Sequence, residues 1–419
     1  LDLRGWRAAT IDRERRVNNL GRISVLMATA FVDMIGFAIV FPLLPFYAER
    51  CNAPPWVIGW MIATFSIAQL AVAPLWGRFS DRVGRRPAIL LGLSMSAAAF
   101  TVFAFANSIF MLFLSRLVQG IGGGTVGVAQ AYVGDSIDAR DRAKALGWLS
   151  AATSAGVMIG PFIGSQAFRL GLAVPGLVAA GLCLTNVAFA WRWLPETAAH
   201  RARVSDNRLP VQRPIRELAL QVLMRPRGPI SRLIWIYAVG MLGFMSMTAV
   251  LPLFLGDRFG VSEANIGNFF FFIGALSLVM RAVVLGKLVD RFGETRVMRA
   301  GAAFLALGLF SIPLPGSIYL TALAMGLVPI GTALLFPNVS ALVSHRVTRR
   351  EMGQTLGVQQ AFGGIARVLA PVWATMAYQG LGLNQPFFIA ATVVAFVGFL
   401  TFGVKPGPAV EPETELAAG

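Results

Sequence analysis

The chain has 419 residues, 56% of them hydrophobic and 13% charged, with a mean hydropathy of +0.68 and a formal net charge of +16. A soluble domain carries about 25% charge, so a water-soluble globule is excluded and most of this surface must meet lipid. Barrel strands are excluded too, because they need only about 10 residues and these apolar runs approach 20.

In chain order, a basic N-terminal tail (1–23) precedes apolar runs at 24–47, 58–78, 87–106, 108–133, 146–168 and 172–193. A charged, proline-bearing linker (194–230) follows, in which PIRELALQVLM (214–224) has the pattern of a short amphipathic helix on the inner surface. Six more runs lie at 231–255, 265–285, 297–314, 317–341, 355–378 and 386–404, before a C-terminal tail (405–419). A helix crosses the hydrocarbon core with about 20 apolar residues. The prediction is therefore an all-α membrane protein of twelve transmembrane helices, in two pseudo-symmetric six-helix bundles at 24–193 and 231–404. No cleavable signal peptide is expected, because residues 1–22 are charged and the first run is long enough to span.

The positive charge is not spread as a nucleic-acid footprint would be. With the N-terminus inside, nearly all of the 36 Lys and Arg fall in inner segments. Only Arg50, Arg169 and Arg258 fall outside, and Arg116, Arg281 and Arg367 lie within spans. This is the positive-inside bias. It places both termini in the cytoplasm and makes the bilayer, not nucleic acid, the partner of the basic loops. Cys51 in an outer loop and Cys183 in mid-span do not suit a disulfide. His200 and His345 read as isolated, solvated side chains near the inner surface, and no metal-ligand cluster or nucleophile triad is visible.

An internal repeat relates the two sets of runs at an offset of about 210 residues. Pro42-Leu43 recurs as Pro252-Leu253, Leu146-Gly147 as Leu356-Gly357, and Pro161 as Pro371. The loop after span 2, GRFSDRVGRRP, recurs after span 8 as GKLVDRFGETR. Gly77, Asp81, Arg82 and Gly84 thus correspond to Gly286, Asp290, Arg291 and Gly293. Glycines permit the tight turn, and the arginines hold it on the inner side. Asp81 is placed either to cap the following turn or to face another helix's positive end. Anchoring alone accounts for the arginines but not for the repeated spacing.

Twelve spans in two similar halves, with this glycine–aspartate–arginine loop after spans 2 and 8, resemble the major facilitator superfamily. Arg116-Leu-Val-Gln119-Gly120-Ile-Gly122 in span 4 resembles an Arg-x-x-Gln-Gly-x-Gly element of that superfamily. Gly147, Gly156, Gly160-Pro161 and Gly164 in span 5 resemble the antiporter signature of its drug-exporting members, except that Ser165 replaces a second glycine. Asp33-x-x-Gly36 and Pro42-x-x-Pro45 in span 1 are also similar to the twelve-span drug:proton antiporter group. The resemblance implies alternating access and a conformational latch on the inner side. In that latch Asp81 meets the start of span 11, and Arg85 reaches an acid such as Asp135 at the foot of span 4.

The residues carry a chemical reading of their own. Gly156, Gly160 and Gly164 recur once per helical turn, a stripe on which another helix packs closely, while Pro161 weakens the backbone ladder. Charges inside a membrane are costly and functional by default. Asp33 lies about ten residues into span 1 and Arg116 about eight residues into span 4 from the opposite side, ~15 Å and ~12 Å deep. Both then fall near the midplane, at similar depth. Neither recurs in the second half, where Gly243 and Gly326 stand instead. The reading is that Asp33 carries a coupling proton and Arg116 tunes it; a static ion pair is the alternative. Arg367 is a second mid-depth charge or an anion-binding group, whereas Arg281 snorkels.

Phe37, Gln119, Gln130, Met241, Met245, Asn338, Gln360 and Arg367 are the candidate cavity residues, since flexible Met and flat Phe beside a few amides suit a greasy, partly polar molecule. The GIGGG run (120–124) is no phosphate cradle, because it lies inside a span and no Gly-Lys-Ser/Thr follows. Function is therefore read as secondary active export of a small lipophilic compound in exchange for protons, by a non-enzymatic monomer of the plasma (inner) membrane that needs no cofactor. Two rivals stay open: an uptake symporter or uniporter for a nutrient or lipid, and a non-transporting sensor on the same fold.

Overall fold

The computed structural model describes residues 23–137, 139–197, 215–226 and 228–404. Among these residues every regular element is helical. Ten helices, counting interrupted ones once, are long and apolar enough to cross a membrane. Residues 1–22 and 405–419 of the predicted tails, and residues 198–214 and 227 of the linker, with His200 among them, lie outside the described residues.

By contacts the chain forms two compact units. One comprises residues 1–210 with 260–274, the other 211–259 with 275–419. In the first unit, α1 (23–40) passes through a turn into α2 (Leu44–Arg50), where Pro42 and Pro45 interrupt the ladder. α3 (Pro55–Val83) and α4 (Arg85–Ala104) meet at Gly84, whose φ of +115° favours glycine. The fourth apolar run is broken into α5 (Ile109–Gly122) and α6 (Thr125–Ser136). α7 (Ala139–Phe168) and α8 (Val174–Trp193) complete the set.

The α5–α6 break follows from the GIGGG run. A Cβ on Gly120 would lie 2.5 Å from the Phe65 carbonyl oxygen, and one on Gly122 would lie 2.8 Å from Met95 Cβ. Glycine therefore lets α3 and α4 close on this helix. The carbonyls freed by the break are not orphaned: Gln69 Nε2 donates to Gly123 O at 2.9 Å, and Trp76 Nε1 donates to Ile121 O. In lipid such satisfaction is obligatory.

The second unit opens with α9 (Ile215–Met224), inside the stretch read as amphipathic. Val222 is buried there in a cluster with Ile234, Ala238, Val358 and Phe362, while Leu220 and Met224 stay exposed. α10 (Pro229–Phe259) is mostly buried. α11 (Glu263–Val279) runs through a π turn at Met280–Val284 into α12 (Leu285–Phe292), with its first residues grouped with the first unit. α13 (Glu294–Ser311), α14 (Ile318–Ser344), α15 (Arg349–Leu381) and α16 (Gln385–Leu400) follow. α13 and α15 correspond to predicted spans 9 and 11 but are more polar and fall outside the ten. α13 packs on α14 and α16, and α15 packs on α10. At the end of α10, Arg258 donates to Pro313 O at 2.7 Å and Pro315 O at 3.1 Å, tying two turns together.

Candidate functional site

The centre of the first unit is built on two faces of α1. One face carries Phe31, Met34, Ile35, Ala38 and Ile39, and α7 lies directly on it. Cβ atoms on Gly156 and Gly164 would come 2.5 Å from the carbonyl oxygens of Phe31 and Ile39, and one on Gly160 would come 2.6 Å from Ala38 Cβ. No larger residue fits without parting the helices. Gly147, by contrast, has nothing within 4 Å of a would-be Cβ and is exposed.

Ser165, the departure from the signature, holds the start of α11: its Oγ donates to Glu263 O at 2.7 Å and accepts from Gly267 N–H at 2.8 Å. Gly267 in turn sits against the Pro161 carbonyl, and a Cβ on Gly274 would lie 2.8 Å from Met158 Cα.

The other face of α1 carries Asp33. The side chain is 6% exposed and accepts a hydrogen bond from Thr125 Oγ1 at 2.8 Å. Thr125 is the first residue of α6, so the α5–α6 break delivers the hydroxyl to the acid. Gly92 leaves room for it, since a Cβ there would lie 2.5 Å from Thr125 Cγ2. Beside Asp33 lies a cavity of about 10 Å³, lined by Leu26, Thr29, Ile89, Leu93 and Ala129 among others. That is about the space one water molecule requires.

Arg116 is not in this group. It is 2% exposed, its guanidinium lies 5.6 Å from the Phe103 ring centroid, and its Nη2 has no hydrogen-bond partner. No ion pair joins it to Asp33. The expectation of similar depth is corrected here. Asp33 stands at the level of Ile89 and Leu93 on α4, and Arg116 at the level of Phe103. These positions are ~15–20 Å apart along that helix. Both interrupted helices run 28 residues, Ile23–Arg50 and Ile109–Ser136, or ~42 Å. Depths counted from opposite ends of such helices do not meet in the middle.

At the α3–α4 turn, Arg85 is 7% exposed and gathers the loop motif. Its guanidinium pairs with Asp135 Oδ2 at 2.9 Å and Asp81 Oδ1 at 2.7 Å, and donates to Ser80 Oγ. Asp81 does not cap the following turn. That task falls to Glu196, whose carboxylate accepts from the backbone N–H groups of Arg85 and Arg86 at 3.0 and 3.1 Å. A Cβ on Gly84 would lie 2.5 Å from Glu196 Oε2, so glycine is required twice over. Sequence reasoning missed Glu196; its signal was an acid placed just past the last apolar residue of its span. Gly77 and Arg82 are exposed.

In the second unit Glu294 takes the place of Arg85 and His345 that of Asp135. His345 Nδ1 lies 3.3 Å from Glu294 Oε2, so His345 is not isolated.

The predicted cavity residues do not form one group. Phe37 packs with Phe41 and Phe65 at ring separations of 6.0 and 5.2 Å. Gln119 is buried with Oε1 unpartnered, and Gln130 is exposed. Asn338 Nδ2 donates to Leu334 O on its own helix. Met241 and Met245 follow Tyr237 along α10, one and two turns on. Gln360 Nε2 donates to the Tyr237 hydroxyl at 3.3 Å. Arg367 shares the α15 face of Gln360, two turns away. Thr125 and Tyr237 were the residues missed, each a lone polar group on an apolar helix.

Comparison with known proteins gives this arrangement a context. A family model described as the Major Facilitator Superfamily matches residues 26–371 and again 279–418. Multidrug resistance protein 1 of Bacillus subtilis (strain 168) is 26% identical over 91% of this chain and 96% of its own. The class C tetracycline resistance protein of Escherichia coli is 28% identical over 84% and 89%. Among solved structures, the nucleoside transporter NupG aligns with a TM-score of 0.75 at 14% identity, over 91% of this chain and 99% of that one. The human organic anion transporter MFSD10 aligns at 0.68 and 22%, over the same shares.

Proposed function

Because the chain belongs to the major facilitator superfamily, and is thus a multi-pass membrane transporter rather than an enzyme, we propose that it exports a small lipophilic compound in exchange for protons. The observation that carries this reading is Asp33: a buried carboxylate with no cationic partner among the described residues, held by one hydroxyl, beside a space the size of a water molecule. A carboxylate so placed is costly when charged, and protonation removes that cost. A conformational change that admits water to the cavity reverses the balance, so the acid takes up and releases a proton once per cycle. The relatives named for multidrug and tetracycline resistance support export as the direction.

In this reading the chain crosses the membrane twelve times as two related bundles of six, with both termini in the cytoplasm, and acts as a monomer. The glycine stripe of α7 and the Arg85 cluster are its moving seam and its inner latch. Arg116 stands apart from the proton site and acts on it only through the α5–α6 break.

The test is flux in liposomes with an imposed pH gradient. Wild-type protein should move substrate against the proton flow, and Asp33→Asn should lose that coupling. Co-directional movement of substrate and proton, or full coupling in Asp33→Asn, would overturn the reading.

A further inference from the structure

Two arginines inside the predicted spans of the second unit have no counter-charge among the described residues. Arg281 lies in the π turn and Arg367 on α15, and both are within electrostatic range of Tyr237 on α10. Among the described residues neither guanidinium has a hydrogen-bond or ion-pair partner. Arg281 is exposed and Arg367 partly so, which leaves both open to a ligand. The nearest acid on α10, Asp257, stands at the opposite end of that helix and accepts from the Tyr378 hydroxyl at 2.6 Å.

Arginine does not shed its proton inside a protein. Arg367 is eighteen residues from the start of α15 and fourteen from its end. Those distances are ~27 and ~21 Å, so it stands well inside its helix. Among the described residues no acid answers that charge, so an external anion is the partner it calls for.

The surroundings are built rather than accidental. Gln360, Gly363 and Arg367 share one face of α15. Gly363 has no side chain where the Tyr237 ring passes, since a Cβ there would lie 2.7 Å from Tyr237 Cε1. Phe336 meets the same ring edge-on at 5.2 Å, and Gln360 holds its hydroxyl. Tyr237 is thus fixed by Gln360, Gly363 and Phe336, with Met241 and Met245 continuing its helix face as flexible apolar surface. A π turn places Arg281 here, and such turns recur at functional sites.

We propose that Arg281 and Arg367, grouped about Tyr237, form the head-group site for a lipophilic organic anion, most simply a carboxylate whose apolar body lies along the Met241–Met245 face. Guanidinium forks suit a carboxylate in geometry and charge. The proposal deepens the export reading and rests on it.

Three probes of one shape separate the possibilities: 1-naphthoate, neutral 1-naphthamide and cationic 1-naphthylmethylamine. Binding is measured on the solubilised full chain, and pH-driven flux in phosphatidylcholine vesicles with or without phosphatidylglycerol. Naphthoate should bind and move in preference to the others. Arg367→Gln and Arg281→Gln should each weaken naphthoate binding about tenfold or more, with Arg367→Lys keeping part of it. Transport of the amine without naphthoate would overturn the anion assignment and leave export standing. Naphthoate binding unchanged in both Gln variants would also overturn it. Stabilisation of the chain by phosphatidylglycerol with no naphthoate binding would assign the arginines to lipid phosphate instead. If no probe binds or moves, the assignment and the export reading fall together.

Discussion

A buried carboxylate with one hydroxyl for company is poised in a way that a salt-bridged one is not. Thr125 donates to Asp33 at 2.8 Å, and a hydrogen bond to a charged group is worth about 1.5–3 kcal/mol. Thr125→Val is therefore expected to lower pH-driven flux by about tenfold or more, while Thr125→Ser keeps the hydroxyl and most of the rate. Liposome flux across a series of imposed gradients reads this directly. At the α3–α4 turn Gly84 combines a φ of +115° with the close approach of Glu196. Gly84→Ala should destabilise the protein by about 1–3 kcal/mol, visible as a lowered Tm in detergent. The Glu294–His345 pair is different in kind: it is largely exposed, and such pairs contribute ~0–1 kcal/mol.

Between elements, the signature glycines of α7 divide by what they touch. Gly160→Leu must push α1 away from α7, a change of the overpacking type that costs about 1–3 kcal/mol and often more. Gly147→Ala meets nothing and, in an exposed helix interior, should be neutral or stabilising by up to ~1 kcal/mol. Melting both variants side by side tests whether the signature is one packing motif or two unrelated sets of glycine. Ser165→Gly restores the residue the resemblance called for, yet it deletes the bonds to Glu263 O and Gly267 N–H. It should therefore lower the Tm rather than raise it, by an amount comparable to losing a helix cap, about 0.5–2 kcal/mol.

For the whole molecule, the basic residues decide orientation. Cys51 lies at the end of α2, partly accessible, and Cys183 is buried in α8. With both termini in the cytoplasm, a membrane-impermeant maleimide applied to intact cells should label Cys51 and spare Cys183. Labelling of Cys51 only after the inner face is opened would invert the topology.

Much was legible in the residues themselves. Apolar runs of membrane length and the glycine-bounded loops depend on local composition and on the hydrophobic thickness a helix must cross, so chain order alone specifies the helices. The Gly156–Gly164 stripe was legible for the same reason, because its spacing is the helical repeat. That a carboxylate stands unrepeated in the first apolar run was plain without coordinates. What it touches was not. Thr125, Glu196 and Tyr237 acquire their partners from helices remote in sequence, and the offset between two helices along their axes is set by side-chain packing, which no single run encodes. That is why Asp33 and Arg116, expected at similar depth, stand at different levels, and why Gln360 and Gly363, read separately from Tyr237, meet it. The sequence by itself determined which segments are helices and which side chains are expensive to bury; only tertiary packing decided which of those side chains meet.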